Sequence, residues 1–227
     1  VIRAIAWDID GTLVDSEPRH HRALLAASRA LGVALDDLPD QAFRGVHMLD
    51  VWEVLRPRYP SHVGREPWLE AINRAYVADA APLIPIPGGS EVIQSLHAAG
   101  LSQVCVSNSN RVVVDANIVA LGLAPYLVGS ISLDDVSRGK PDPEPYLLAC
   151  AMLGLAPHEV AAVEDSATGA ASARRAGLFV IGFGPDLGDA GADCLCESLF
   201  EIPGVLGQAR GLHPGSPRAG FRPASDG

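Results

Sequence analysis

Residues 1–7 are mostly apolar and end at Asp8, the pattern of a strand buried on both faces. Ser16-Glu17-Pro18 then opens a helical stretch to about Leu31, with Ser16 a candidate N-cap and Gly32 a stop. From Asp36 to about Ala81 the pattern stays helical. Residues 48–55 and 68–77 have helical spacing, Pro57, Pro60 and Pro67 punctuate the segment, and no strand is predicted in it. Residues 82–89 are rich in Pro and Gly and read as a linker.

A different rhythm follows. Predicted helices at 90–99, 111–121, 144–153 and 167–176 alternate with apolar strands at 102–106, 127–132, 160–163 and 179–183. This order predicts the α/β class: a parallel sheet with helices on both faces. The all-helical block falls between the first strand and the rest, so it reads as an insertion. The expected organisation is a parallel-sheet core of 1–15 and 88–212, an inserted helical domain of 16–87, and a flexible tail of 213–227 that is rich in Pro, Gly and Ser.

Composition narrows the picture. Apolar residues make up 48% of the 227 and charged residues 19%, which suits a buried core and excludes wholesale disorder. Lys plus Arg is 17 against 27 Asp plus Glu, a net charge of −10, so nucleic acid is not an expected partner. No apolar run reaches span length, so no membrane association is expected, and the opening run is too short for a signal peptide. Cys105 and Cys150 sit in apolar runs, while Cys194-Leu195-Cys196 fits neither zinc nor thioredoxin spacing. A reduced, cytoplasmic protein is the simplest expectation.

The chemistry lies at the strand ends. Asp8 and Asp10 follow the first strand, Ser107 and Asn108 the next, and Glu164 and Asp165 a later one. Lys140 lies in a Gly-Lys-Pro-Asp-Pro loop before a helix. Each signal alone has a bland reading. Asp10-Gly11 is a turn signal, Ser107 a strand-end hydroxyl, Lys140 a surface lysine, and Glu164-Asp165-Ser166 a helix N-terminal acid cluster. A calcium loop opening at Asp8 fails, because Leu13 and Arg19 fall where its glycine and closing glutamate belong. Together the four segments converge on one edge, since ligands of open parallel sheets bind outside the carboxyl ends of the strands. Carboxylates crowded there repel by roughly 4 kcal/mol per pair at 4 Å and an effective dielectric of 20. One lysine cannot neutralise them. A divalent cation can, and an all-oxygen set with room for waters suits Mg²⁺.

These residues carry a resemblance. Asp8-Ile9-Asp10-Gly11-Thr12-Leu13-Val14-Asp15-Ser16 resembles the first motif of the haloacid dehalogenase superfamily. Val106-Ser107-Asn108 resembles its second motif, Lys140 its third, and Val163-Glu164-Asp165-Ser166 with Gly169 its fourth. The match runs from about residue 2 to 185. It implies a Rossmann-like parallel-sheet core with an inserted α-helical cap, as in the subfamily of phosphoglycolate phosphatase and β-phosphoglucomutase.

The resemblance also implies roles. Asp8 is the nucleophile that forms an aspartyl-phosphate, and Asp10 the acid that protonates the leaving oxygen and later activates water. Ser107 hydrogen-bonds the phosphoryl group and Lys140 neutralises charge. Asp8, the Asp10 carbonyl, Glu164 and Asp165 hold Mg²⁺. Asn108, His20, Arg44 and Gly45 are the candidate substrate-binding residues. Metal-free dehalogenases lack an acid at position 10, so the reaction expected is phosphomonoester hydrolysis of a sugar phosphate or phosphoglycolate by a monomer. Two alternatives are a β-phosphoglucomutase-like phosphotransferase and a non-catalytic phosphometabolite-binding protein. The mutase has cap cations where Met48 and Ile72 stand here, with Arg74 nearby. Intact acids at 8, 10 and 165 weigh against lost catalysis.

Overall fold

The computed structural model describes residues 1–39, 42–44, 46, 48–184, 187 and 191–209. The tail expected to be flexible lies outside the described residues, as does Gly45. The chain divides into two compact units: Val1–Val14 with Pro85–Gly227, and Asp15–Ile84.

The first unit is built on β1 (Ala4–Trp7), β4 (Ser102–Val106), β5 (Gly129–Ile131), β6 (Val160–Glu164), β7 (Phe179–Phe183) and β8 (Cys194–Cys196). They form one sheet in the order β5-β4-β1-β6-β7-β8, with every neighbouring pair parallel. Counted along the chain, these six strands lie in the order 3-2-1-4-5-6, the doubly wound arrangement of a Rossmann-like fold. β1 is therefore central, and the strand order reverses beside it. All four of its residues are buried, as a strand covered on both faces requires.

Alternation along the strands sorts the two faces. Ala4, Ala6, Val104, Val106, Ala162 and Val180 share a core with Tyr146, Ala149 and Cys150 of α6 (Glu144–Leu153) and with Ala170 and Ala173 of α7 (Ala167–Ala176). Many of these side chains are alanines, so helix and sheet approach closely. Gln103 has the opposite parity. It is fully buried, yet it accepts from Trp7 Nε1 at 3.0 Å and donates to the Ile93 carbonyl of α4 (Gly89–Ala98) at 2.8 Å. That buried amide is thus satisfied on both sides. α5 (Arg111–Ala120) follows β4, and α8 (Ile202–Ala209) closes the described chain.

The second unit holds α1 (Glu17–Ala30), α2 (Met48–Leu55) and α3 (Arg65–Ala78), with α1 packed on α3. Trp52, Tyr59 and Trp68 form an aromatic cluster, with the two tryptophan rings 5.2 Å apart. Ser28 is buried in this unit and bonds both the Leu24 carbonyl and the Tyr59 hydroxyl.

The parallel sheet and its helices agree with the sequence expectation. Three short strands and the helix α8 were not expected. β2 (Val14–Asp15) pairs with β3 (Ile84–Pro85), inside segments read as loop and linker. β8 adds a sixth strand beyond the predicted five. Among the described residues, no helix is long and apolar enough to cross a membrane.

Candidate active site

β1 delivers Asp8 to the switch point of the sheet. The Asp8 N–H donates to the Val163 carbonyl at 3.0 Å, continuing the ladder with β6 for one residue beyond the strand. The chain must then turn sharply. Gly11 does so at φ +91°, and its N–H donates to the Val14 carbonyl at 2.8 Å. A Cβ at Gly11 would stand 2.0 Å from Asp165 Oδ2. Glycine is required there both for conformation and for the approach of a carboxylate from another strand end.

β6 ends in Glu164, which is fully buried, and is followed by Asp165. Ser166 caps α7, its Oγ accepting from the Gly169 N–H at 3.1 Å. Gly169 has a second role, since a Cβ there would lie 1.9 Å from Glu164 Oε2. The Glu164 carboxylate lies where a side chain would otherwise stand on the first turn of α7.

Lys140 reaches in from the loop before α6. Its ammonium donates to Asp8 Oδ1 at 2.7 Å, Glu164 Oε1 at 2.6 Å and the Val106 carbonyl at 2.8 Å. Three acceptors use all three of its protons. Burial opposes its charge, but Asp8 and Glu164 outweigh that and hold its pKa above the ordinary lysine value. The loop is held by Asn108, whose Oδ1 accepts from the Lys140 N–H at 2.8 Å and whose Nδ2 donates to the Lys140 carbonyl at 3.0 Å. Asn108 thus grips the lysine's backbone and keeps one amide proton for other partners.

Asp10 faces a different set of groups. Its Oδ2 accepts from Ser107 Oγ at 3.1 Å and Ser109 Oγ at 2.9 Å, and its Oδ1 accepts from Asn117 Nδ2 at 3.5 Å. Hydroxyl and amide donors of this kind stabilise a carboxylate without neutralising it, which suits a group that takes and returns a proton.

Carboxylate oxygens of Asp8, Glu164 and Asp165 lie within 4.8 Å of one another. Asp8 Oδ2 is buried and has no hydrogen-bond partner among the described residues. Burial raises the Asp8 pKa well above the usual carboxylate value; Lys140 opposes this, and Glu164, Asp165 and Asp10 add to it. Burial and Glu164 likewise push Asp165 up to about 7. Three clustered carboxylates, two of them buried, leave an excess of negative charge against one ammonium. An all-oxygen donor set with one open oxygen fits a hard divalent cation, which would reverse both shifts. The Asp10 carboxylate is outside that group of three.

The first unit therefore brings together Asp8, Asp10, Ser107, Asn108, Lys140, Glu164 and Asp165. His20 and Arg44 belong to the other unit. The His20 ring stands 4.6 Å from the Tyr76 ring, and Arg44, an exposed side chain, pairs with Asp15 at 3.8 Å. Three functional neighbours were missed. Ser109 lies two residues beyond the second-motif serine. Asn117 stands between Val113, Val114 and Ile118 on the buried stripe of α5, and a polar residue there was the available signal. Tyr146 fell inside a predicted helix and was not singled out; its hydroxyl donates to Glu164 Oε1.

The sequence profile of the haloacid dehalogenase-like hydrolase family matches residues 2–177. The chain belongs to this family and is a hydrolase of the helical-cap type. It is 30% identical over 199 residues to validoxylamine A 7'-phosphate phosphatase of Streptomyces hygroscopicus subsp. limoneus, covering 86% of this chain and 93% of that one. It is also 30% identical over 217 residues to a plasmid-encoded phosphoglycolate phosphatase of Cupriavidus necator, covering 91% and 94%. Among solved structures, CbbY from Rhodobacter sphaeroides in complex with phosphate superposes with a TM-score of 0.78 at 27% identity, covering 89% and 96%.

Proposed function

We propose that this protein is a Mg²⁺-dependent phosphatase acting on a small phosphorylated metabolite, of the sugar-phosphate or phosphoglycolate type, through an aspartyl-phosphate. The observation that carries this reading is Asp8 itself. One oxygen is fixed by Lys140 and the other is buried without a partner, beside two further carboxylates. Asp8, Glu164, Asp165 and the Asp10 carbonyl would hold Mg²⁺, which would supply the charge that lets a phosphate dianion approach these acids.

The remaining steps fall to the chain's own groups. Asp8 attacks phosphorus and becomes the phosphoryl carrier. Asp10 gives a proton to the leaving oxygen, then takes one from the water that hydrolyses the acyl-phosphate. Ser107 Oγ, now on Asp10, turns to a phosphoryl oxygen. Lys140 stays protonated and offsets the charge that accumulates on Asp8 and the phosphoryl group. His20, Arg44 and Gly45 are the proposed contacts for the rest of the substrate.

Hydrolysis is favoured over mutase chemistry because the 30%-identical relatives carry phosphatase names. A screen of sugar phosphates, phosphoglycolate and nucleotides with Mg²⁺ tests the reading. Turnover should require Mg²⁺ and vanish in Asp8→Asn. Full activity of Asp8→Asn on p-nitrophenyl phosphate would rule the aspartyl-phosphate out. Conversion of β-glucose 1-phosphate to glucose 6-phosphate in a coupled assay would establish the mutase instead.

A further inference from the structure

Tyr146 is fully buried on α6, where a phenylalanine would fill the same space against the sheet. Its hydroxyl is the added chemistry, and it is aimed. It donates to Glu164 Oε1, the oxygen that also accepts from Lys140 Nζ at 2.6 Å. The ring centre lies 5.2 Å from the same ammonium, so Tyr146 touches both the lysine and the glutamate that the site depends on. Among the described residues, the second oxygen, Oε2, has one weak partner, Ser166 Oγ at 3.4 Å. Gly169 leaves the space that the carboxylate fills. Glu164 is thus pinned through Oε1 by two donors, with Oε2 lightly held.

We propose that Tyr146 is a positioning residue for the divalent-cation site: its hydroxyl fixes the Glu164 carboxylate so that Lys140 and the cation share it in one orientation. The proposal rests on the metal-dependent reading above. Lys140 alone cannot set that orientation, because one ammonium bridging two carboxylates can follow either. A second donor on Oε1, from a different helix, removes that freedom. Groups that orient ligands in this way are typically worth 10–100-fold in metal affinity.

The test is direct binding of Mn²⁺, followed by its EPR signal without substrate, to the wild type, Tyr146→Phe and Ser172→Ala. Ser172 is a control hydroxyl on α7 in the same unit that bonds the Asp142 carbonyl. Tyr146→Phe should bind Mn²⁺ about tenfold more weakly. Ser172→Ala should bind like the wild type. Equal affinity of Tyr146→Phe and wild type would overturn the positioning role while leaving the metal site standing. A wild type that binds no divalent cation would overturn the metal reading and this one with it. A second measurement does not depend on the variant folding. In full-length protein labelled with fluorotyrosine, one of the four tyrosine resonances should shift as Mg²⁺ is added. No shift in any of them would overturn the proposal.

Discussion

Lys140 Nζ lies 2.7 Å from Asp8 Oδ1, joining side chains 132 residues apart in sequence at the end of the central strand. The pair is almost wholly buried, and the lysine also holds Glu164. Removing one partner of a buried ion pair costs about 3–5 kcal/mol, because a charge is left uncompensated. Here part of that cost is relieved, since the freed carboxyls can take up protons. Lys140→Gln should therefore fold with a lowered melting temperature. Its kcat/KM should fall roughly 10²–10³-fold, as when one charge-stabilising donor is lost. Less than a tenfold fall at saturating Mg²⁺ would show that the ammonium is not part of the reaction.

Gly11 and Gly169 make room for carboxylates rather than for turns alone. At φ +91° an alanine at position 11 is strained by about 1–2 kcal/mol. Its Cβ would also displace Asp165. Gly169→Ala has ordinary helical backbone, so its effect should come from displacing Glu164. Both variants should need at least roughly tenfold more Mg²⁺ for half-maximal activity. Gly169→Ala should do so with the smaller backbone penalty, which thermal melting in EDTA would separate. Wild-type Mg²⁺ dependence in both would contradict the crowding seen around these two glycines.

Apart from Lys140, which lies in the loop before α6, the parts of this site that could be read from sequence share one property: their position follows from a strand's end. β1, β4 and β6 are buried on both faces, so they appear as apolar runs, and the acid or hydroxyl ending each run marks the ligand edge. β8 was missed because three residues give no periodicity. β2 and β3 are two residues each, and long-range pairing, not local pattern, makes them strands. Asn117 and Tyr146 act from helices. Whether a polar atom on a buried helical stripe meets Asp10 or Glu164 depends on how that helix lies on the sheet, which a single sequence does not encode locally. Ser109 was a nearer miss, two positions from Ser107.

Ser109 gives a test of how Asp10 is held. Its hydroxyl donates to Asp10 Oδ2 at 2.9 Å, beside Ser107 at 3.1 Å. A hydrogen bond to a charged group is worth about 1.5–3 kcal/mol, and 1.36 kcal/mol is tenfold in rate. Ser109→Ala should therefore lower kcat by roughly tenfold with little change in KM. A raised KM with intact kcat would place the Ser109 hydroxyl on the substrate and not on the acid.

Asp135 provides a pH-dependent prediction outside the cluster of Asp8, Glu164 and Asp165. Burial tends to raise its pKa, but bonds from the Ser132 hydroxyl and N–H, each 2.7 Å, and from Arg111 overcome this and hold it below the ordinary value of 3.8. The folded protein thus releases this proton more readily than the unfolded chain does. The resulting stabilisation is complete above the unfolded pKa and disappears as pH falls through the folded one. Asp135→Asn should be less stable than wild type at pH 7, because Arg111 and the Ser132 N–H lose their charged acceptor. The gap should narrow below about pH 4 and close at lower pH, as the wild-type carboxyl itself becomes neutral. Asp135 is partly exposed, so the effect should also shrink with added salt. Urea denaturation at pH 7 and at successive acid pH values measures the gap. A difference between the two proteins that stays constant from pH 7 to pH 2 would mean that the side chain's shape, not its charge, is what the Ser132 turn uses.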